Sequence, residues 1–296
     1  ECMSKGLIVS NVSNIYEVED SKSSNIIKCI PRGKFKKDDI IPAVGDIVEF
    51  EYQTQTDGII NEIHERKNYI KRPKMSNITQ MIFVLSMKMP KPDLLLLDKQ
   101  LAFAEYNNIK STICLNKIDL EKDDIIDNIY NIYKKIGYTV IKTNAKSGEG
   151  IDEVRKCLKN NITAFSGNSG VGKSTLINNI FKDTLTTEGE VSNKNKRGKN
   201  TTTAIKLYKI DNDSYIADTP GFSTFDIYEI KSEELCKYFI ELAEYMQNCE
   251  FIGCTHIKEE KCGIKKAVQE NKISKQRYDT YCKLYNELKE KELYKW

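Results

Sequence analysis

Gly167–Ser174 reads GNSGVGKS and lies between the apolar run ITAF and the helical segment STLINNIF. Gly167 and Gly172 let a strand-to-helix turn curl until its amide N–H groups face one point, and a helix N-terminus there favours an anion. Such a loop suits the β-phosphate of a nucleotide, with Lys173 reaching the β and γ oxygens and the Ser174 hydroxyl offered to Mg²⁺. Asn168, Ser169, Gly170, Val171 and Thr175 complete the stretch expected to line the phosphates. A plain glycine-rich turn is the alternative, and the strand before and helix after argue against it. The base is chosen elsewhere. Asn116–Asp119, NKID, ends the apolar run STICL. A carboxylate at Asp119 can accept both N1–H and N2–H of guanine, an arrangement adenine cannot match. Asn116 is expected to tie this loop to the phosphate loop, and Lys117 to lie along the base or ribose.

Two further segments belong to the same chemistry. Asp218–Gly221, DTPG, closes the run SYIA, where Asp218 would hold Mg²⁺ through water and the Gly221 amide would meet the γ-phosphate. The polar stretch NKNKRGKNTTT between the two phosphate segments must supply the Thr that completes the Mg²⁺ shell, and Thr202 is the choice, with Thr201 open. TNAKSGEG, Thr143–Gly150, resembles the second guanine loop of GTPases, where Ala145 and Lys146 contact the base; a Ser/Gly-rich helix cap is the other reading. In a Ras-type chain the phosphate loop comes first and the guanine loops last. Here NKID and TNAKS precede GNSGVGKS and DTPG, so the domain is expected to be circularly permuted, with DTPG running directly into whatever follows. Phe222 occupies the position after Gly221 where many GTPases carry a water-orienting Gln, so unaided hydrolysis should be slow.

Cys249, Cys254, His256 and Cys262 form C-x4-C-x-H-x5-C, three of nine cysteines and one of two histidines within fourteen residues. Three sulfurs and one nitrogen with no spare position describe a closed, structural, tetrahedral Zn²⁺ site. Buried or free thiols are the alternative. Cys114 on an apolar strand reads as core, and His64 as structural.

These segments need a scaffold that the 296-residue chain can supply as two or three domains. From about Lys5 to Tyr69, short strand-like runs (GLIVSNVSNIYEVE, SSNIIKCI, VGDIVEFEY, DGIINEIHE) separated by turn signals indicate a small antiparallel barrel. The basic, Pro-containing stretch RKNYIKRPK reads as a linker. Beyond it, apolar strands alternate with helices, the pattern of a parallel α/β sheet. After about Glu229 the chain reads as helical to Trp296. The expected domains are therefore 3–72, a small β-barrel; 73–228, a circularly permuted α/β P-loop GTPase domain; and 229–296, an α-helical zinc-binding domain. Met3 is expected to be the native start, so Glu1 and Cys2 stand outside this reading.

With 46 Lys plus Arg against 43 Asp plus Glu the net charge is only +3, so a nucleic-acid surface would have to come from local clusters. Three exist: Lys28, Arg32, Lys34, Lys36 and Lys37 in the barrel; Arg66 to Lys74; and Lys265, Lys266, Lys272, Lys275, Arg277 and Lys283 near the C-terminus. Solvated surface explains any one of them equally well; all three around one GTPase favour RNA. The absence of a long apolar segment and the nine cysteines suggest a cytoplasmic chain with reduced thiols, away from membranes.

With the rotated motif order, the leading barrel with VGDIVEF, the phrases ERKNYIKRP and GNSGVGKSTLIN, and the trailing cysteine–histidine set, the chain closely resembles the RsgA family of circularly permuted bacterial GTPases. The resemblance implies an OB-fold, a permuted GTPase domain and a zinc domain acting together on the 30S ribosomal subunit and its rRNA late in maturation, with GTP hydrolysed to GDP under stimulation by that subunit; the chain itself is expected to be a monomer. Members usually have a His before the switch threonines; Asn200 stands there, able to orient water but not to take its proton. Two other functions remain open at this point: a GTP-binding RNA scaffold with negligible turnover, and a GTPase serving the large subunit.

Overall fold

The structure is a computed structural model and describes residues 3–33, 35, 40–187, 205–218 and 227–294, with 183–187 and 218 described by backbone alone. In chain order come β1 (Ser4–Val12), β2 (Ile15–Asp20), β3 (Ile26–Pro31), β4 (Ile47–Tyr52), β5 (Asp57–Ile63), β6 (Tyr69–Lys71), β7 (Lys74–Ser76) and β8 (Gln80–Ser86). Helix α1 (Leu94–Tyr106), β9 (Lys110–Asn116), α2 (Asp123–Ile136), β10 (Thr139–Thr143), α3 (Ile151–Leu158), β11 (Ile162–Ser166) and α4 (Lys173–Thr187) follow. After β12 (Lys206–Asp211) and β13 (Ser214–Asp218) the described elements are helical: α5 (Ile240–Ala243), α6 (Gly263–Gln269) and α7 (Lys275–Leu293), with short 3-10 turns. The chain divides into two compact units: Glu1–Met81, Ile151–Ser166 and Ser174–Ser223 in one, and Ile82–Gly150, Gly167–Lys173 and Thr224–Trp296 in the other.

In the first unit, β1, β2, β3, β5 and β4 pair in that order and β4 pairs back to β1, closing a five-stranded barrel. Alternation explains the closure: on β3, Ile27 and Cys29 point inward while Ile26, Lys28 and Ile30 point out. Ile8, Val18, Val48, Phe50 and Ile60 fill the interior, each fully buried. The run GLIVSNVSNIYEVE folds as two strands, not one. Ser13 and Asn14 both take positive φ (53° and 65°), the mark of a two-residue hairpin turn whose twist matches the strands it joins.

RKNYIKRPK, read from the sequence as a linker, contains β6 and leads into β7, an antiparallel pair. Arg66 grips the fully buried Asp46 with Nε and Nη2, both at 2.8 Å, and Ser76 Oγ donates to the same carboxylate at 2.6 Å. That charge-assisted fork fixes the segment to the barrel. The same unit contains β11, β13 and β12. β11 and β13 run parallel, but β12 pairs antiparallel with β13 across the turn Asn212–Asp213. The sheet is therefore mixed, and the purely parallel expectation fails at this hairpin.

In the second unit, β10, β9 and β8 lie side by side, with β10 parallel to β9 from Thr139↔Thr112 to Thr143↔Asn116. Every residue of β8 is buried, as a strand covered on both faces requires. The C-terminal helices pack around Phe239, Leu242, Ile264, Tyr281 and Leu284, together with Ala102 of α1. Among the described residues no helix is long and apolar enough to cross a membrane.

Candidate functional site

Parallel pairing brings the ends of β9 and β10 together, Thr143 opposite Asn116, and so sets the NKID and TNAKS loops side by side. The Asn116 side chain is 1% exposed and uses both ends. Its Oδ1 accepts from Thr143 Oγ1 and from the Ala145 amide, each at 3.1 Å, and its Nδ2 donates to Val171 O at 2.8 Å. One amide thus joins three loops: 116–119, 143–150 and 167–173. Lys117, held at φ 61°, sends its ammonium to Gly170 O at 2.6 Å and to Met89 O, closing a second link to the phosphate loop. Asp119 and Lys146 are exposed on the rim.

The phosphate loop takes left-handed turns at Gly167, Gly170 and Gly172, with φ of 145°, 77° and 102°. Space excludes a side chain as firmly as conformation does. A Cβ on Gly172 would lie 2.2 Å from Asn116 Nδ2, and one on Gly167 would lie 2.3 Å from Val84 O. Gly172→Ala is therefore expected to disrupt the Asn116 junction and weaken nucleotide binding by about fivefold or more, since strain of this kind costs about 1–3 kcal/mol. Titration with a fluorescent guanine nucleotide checks this, and wild-type affinity would contradict it.

Lys173 donates to Gly167 O and, at 2.9 Å, to Asn168 O, so its ammonium lies within the curl of the loop; burial pushes its pKa down. Asn168 Nδ2 reaches Asp93 Oδ2 at 3.3 Å, while Asp93 Oδ1 caps α1 by accepting from the Leu96 amide. Sequence reasoning missed this brace, although a carboxylate two residues past Met-Pro-Lys and before LLLL carried an N-cap signal. Ser174 and Thr175 are exposed in the first turn of α4, and a hard cation prefers such oxygen donors. Asp218 ends β13 by its backbone. Asn200, Thr201, Thr202, Gly221 and Phe222 lie outside the described residues.

Cys249, Cys254, His256 and Cys262 converge, with all four ligand atoms within 4.8 Å of one another. Tetrahedral Zn²⁺, with bonds of about 2.3 Å to sulfur and about 2.0–2.1 Å to nitrogen, sets sulfurs about 3.8 Å apart and sulfur about 3.6 Å from nitrogen. Here Cys249 Sγ lies 3.9 Å from Cys262 Sγ, and His256 Nδ1 lies 3.5 and 3.4 Å from those two sulfurs. The residues fit the ion. Surrounding bonds fix them: Gly263 N–H donates to Cys249 Sγ, and the hydroxyls of Tyr278 and Tyr281 donate to the carbonyls of His256 and Thr255. Burial alone would raise the Glu259 carboxyl, but hydrogen bonds from Thr255 and from the Ile257 amide outweigh it and hold it at about 2. Glu259 therefore pins this loop above the ordinary carboxylate range and releases it only in strong acid.

Among the described cations, Arg277 does not belong to a surface cluster. It is fully buried, with Nε and Nη2 on Glu241 (2.6 and 3.0 Å) and Nη1 on Asp98 of α1 (2.7 Å). Arg66 is likewise committed to Asp46. Lys28 is exposed, but its register neighbours are Glu17 and Asp57. Lys34, Lys36 and Lys37 lie outside the described residues.

Against known proteins, the model of the RsgA GTPase family matches residues 63–228 and that of the RsgA N-terminal domain matches residues 5–60. The chain is 43% identical over 288 residues to the "Small ribosomal subunit biogenesis GTPase RsgA" of Caldanaerobacter subterraneus subsp. tengcongensis, covering 97% of each chain. It is 39% identical over 293 residues to the protein of the same name from Clostridium botulinum strain Loch Maree, covering 99% of this chain and 100% of that one. The crystal structure of YjeQ from Thermotoga maritima superposes with a TM-score of 0.86 at 36% identity, covering 97% and 99% of the two chains. That of YloQ, described as a circularly permuted GTPase, gives 0.83 at 34% identity and covers 98% and 96%. These matches run along nearly the whole of this chain and of each relative, and the chain belongs to the RsgA family of GTPases, which hydrolyse GTP.

Proposed function

We propose that this chain binds the 30S ribosomal subunit through its rRNA and hydrolyses GTP late in the maturation of that subunit, which stimulates the reaction. The observation that carries the proposal is the 43% identity, along 97% of both chains, to a protein named for small-subunit biogenesis. The proposed domains are 3–72 for the OB-fold, 73–228 for the permuted GTPase and 229–296 for the helical zinc domain, working as a monomer in the cytoplasm. Co-sedimentation with isolated subunits tests the partner: binding to small subunits that is stronger with a non-hydrolysable GTP analogue than with GDP supports it. Binding to large subunits alone would replace it.

Asp119 accepts the guanine N1–H and N2–H, Ala145 and Lys146 flank the base, and Asn116 and Lys117 hold these loops against the phosphate loop. The amides of 167–175 cradle the phosphates, and Lys173 leaves the carbonyls of Gly167 and Asn168 for the β and γ oxygens. Ser174 and Thr202, with Asp218 through water, would hold Mg²⁺, which neutralises charge on the β and γ oxygens when bound. Gly221 meets the γ-phosphate, and Asn200 orients the attacking water. Cys249, Cys254, His256 and Cys262 would hold one structural Zn²⁺, whose chemistry is cohesion and not catalysis.

Asp119→Asn replaces one acceptor with a donor that faces guanine N–H groups. Affinity for GTP is expected to fall roughly 100-fold or more, with xanthosine triphosphate accepted in its place, because a site built for hydrogen bonds rejects a mismatched edge strongly. Competition binding with the two nucleotides reads this. An unchanged base preference would remove Asp119 from its assigned role.

A further inference from the structure

Chain order joins the barrel to the guanine side and runs Asp218 towards the C-terminal helices. Packing within the units is the reverse. In the second unit the C-terminal Arg277 grips Asp98 of α1, and Tyr133 of α2 donates to the same carboxylate at 2.7 Å, so those helices dock beside the strand that ends in NKID. In the first unit the barrel meets the phosphate side. β1 shifts register between Ile8 and Ser10, and beyond that bulge Ser10 pairs with Lys206 of β12. β12 pairs with β13 from Lys206↔Asp218 to Asp211↔Ser214, and β13 pairs with β11 from Ile162↔Tyr215 to Ala164↔Ala217. β11 ends at Ser166, the residue before Gly167. A continuous backbone ladder therefore runs from the barrel wall to the strand that enters the phosphate loop.

The first rung of that ladder is a single residue pair, so side chains must fix its register. Two ion pairs flank it, and one of them is partly buried. Lys206 lies 3.6 Å from Glu17, with both side chains substantially exposed, and such a pair contributes little. Lys209 meets Glu19, which is only 8% exposed, and its ammonium lies 5.9 Å from the centre of the Tyr215 ring on β13. One lysine thus spans barrel strand β2, its own strand β12 and the neighbouring β13.

We infer that Lys209 and Glu19 are positioning residues for GTP hydrolysis, holding the barrel wall in register with β12 and, through β13 and β11, setting the strand ends from which the phosphate loop and Asp218 project. The inference goes beyond the ribosomal reading and stands without it, because the barrel acts here on the intrinsic reaction. A ladder of backbone hydrogen bonds is stiff along the pairing direction, so a register change at β12 is carried to β13 and β11.

The test is single-turnover GTP hydrolysis by the full chain without ribosomes, alongside nucleotide affinity and backbone hydrogen exchange. Lys209→Glu and Glu19→Lys are each expected to slow hydrolysis about threefold to tenfold, within the range of coupling that contacting pairs show. GTP affinity should change by less than about twofold, and exchange should rise across 162–166 and 206–218 while 263–293 stays protected. The double exchange Lys209→Glu with Glu19→Lys should recover about half or more of the rate. Lys209→Gln removes the charge without adding repulsion and carries the same expectation if a reversal unfolds the chain. Wild-type rates in the folded single variants, or a double variant that melts and exchanges as wild type yet stays slow, would overturn the assignment.

Discussion

Cys254→Ser is expected to leave the purified chain without stoichiometric zinc and to loosen the C-terminal helices while guanine nucleotide still binds. The four donor atoms lie within 4.8 Å of one another, and the three spacings among Cys249, His256 and Cys262 match the edges of a zinc tetrahedron. Structural zinc binding is worth about 10–16 kcal/mol in small domains, and that free energy is folding free energy. Exchanging a thiolate for a hydroxyl removes a ligand outright, so affinity should fall by more than the roughly 10- to 100-fold seen when only a partner orienting a ligand is lost. Phe251 and Ile252 face solvent (55% and 108% exposed), so the tip of the Cys249–Cys254 turn adds no apolar burial beyond the hydrogen bonds to Gly263, Tyr278, Tyr281 and Glu259. The nucleotide loops are joined through Asn116 and do not include these residues. Metal analysis with circular dichroism reads the first half of the expectation, and nucleotide titration the second. Full zinc content in the variant would remove Cys254 from the ligand set.

Arg277→Met should destabilise the second unit by about 3–5 kcal/mol, the range for breaking a buried ion pair from one side. The guanidinium is fully buried between Asp98 and Glu241, and lies 4.4 Å from the centre of the Phe239 ring. Methionine fills much of the volume but leaves both carboxylates without their cation. Lysine is a poor substitute, since one ammonium cannot present the fork that meets Glu241 through two nitrogens and Asp98 through a third. Neutralising all three positions together, Arg277→Met with Asp98→Asn and Glu241→Gln, should recover much of the loss, which separates charge from packing. Urea unfolding monitored in 263–293 by hydrogen exchange provides the measurement, and an unshifted midpoint for Arg277→Met would contradict the account.

Arg277 also shows where the sequence is mute. It stands in a lysine-rich helical stretch and reads there as one more surface cation, because its partners lie 179 and 36 residues away. Arg66 was misread for the same reason, its carboxylate being 20 residues upstream. The loops that meet nucleotide were legible because each is a contiguous segment whose glycines, amide and carboxylate do their work locally. The cysteine–histidine set was legible because its four ligands fall within one short stretch. The barrel was visible through period-two alternation, although its first hairpin went unseen where Ser13–Asn14 offered a turn signal without glycine. The antiparallel β12–β13 hairpin was missed although Asn212–Asp213 marks it. The wiring could not be read from chain order at all: adjacency in sequence says nothing about which edge of a sheet a barrel strand will extend.

The most direct test of the whole account is multiple-turnover GTP hydrolysis at saturating nucleotide, titrated separately with purified small and large ribosomal subunits. Slow intrinsic turnover is expected from Phe222, with small subunits raising kcat well beyond tenfold, towards the roughly 10³-fold gains that an activating partner supplies, and large subunits leaving it unchanged. A rate indifferent to small subunits, or raised equally by large ones, would contradict the account.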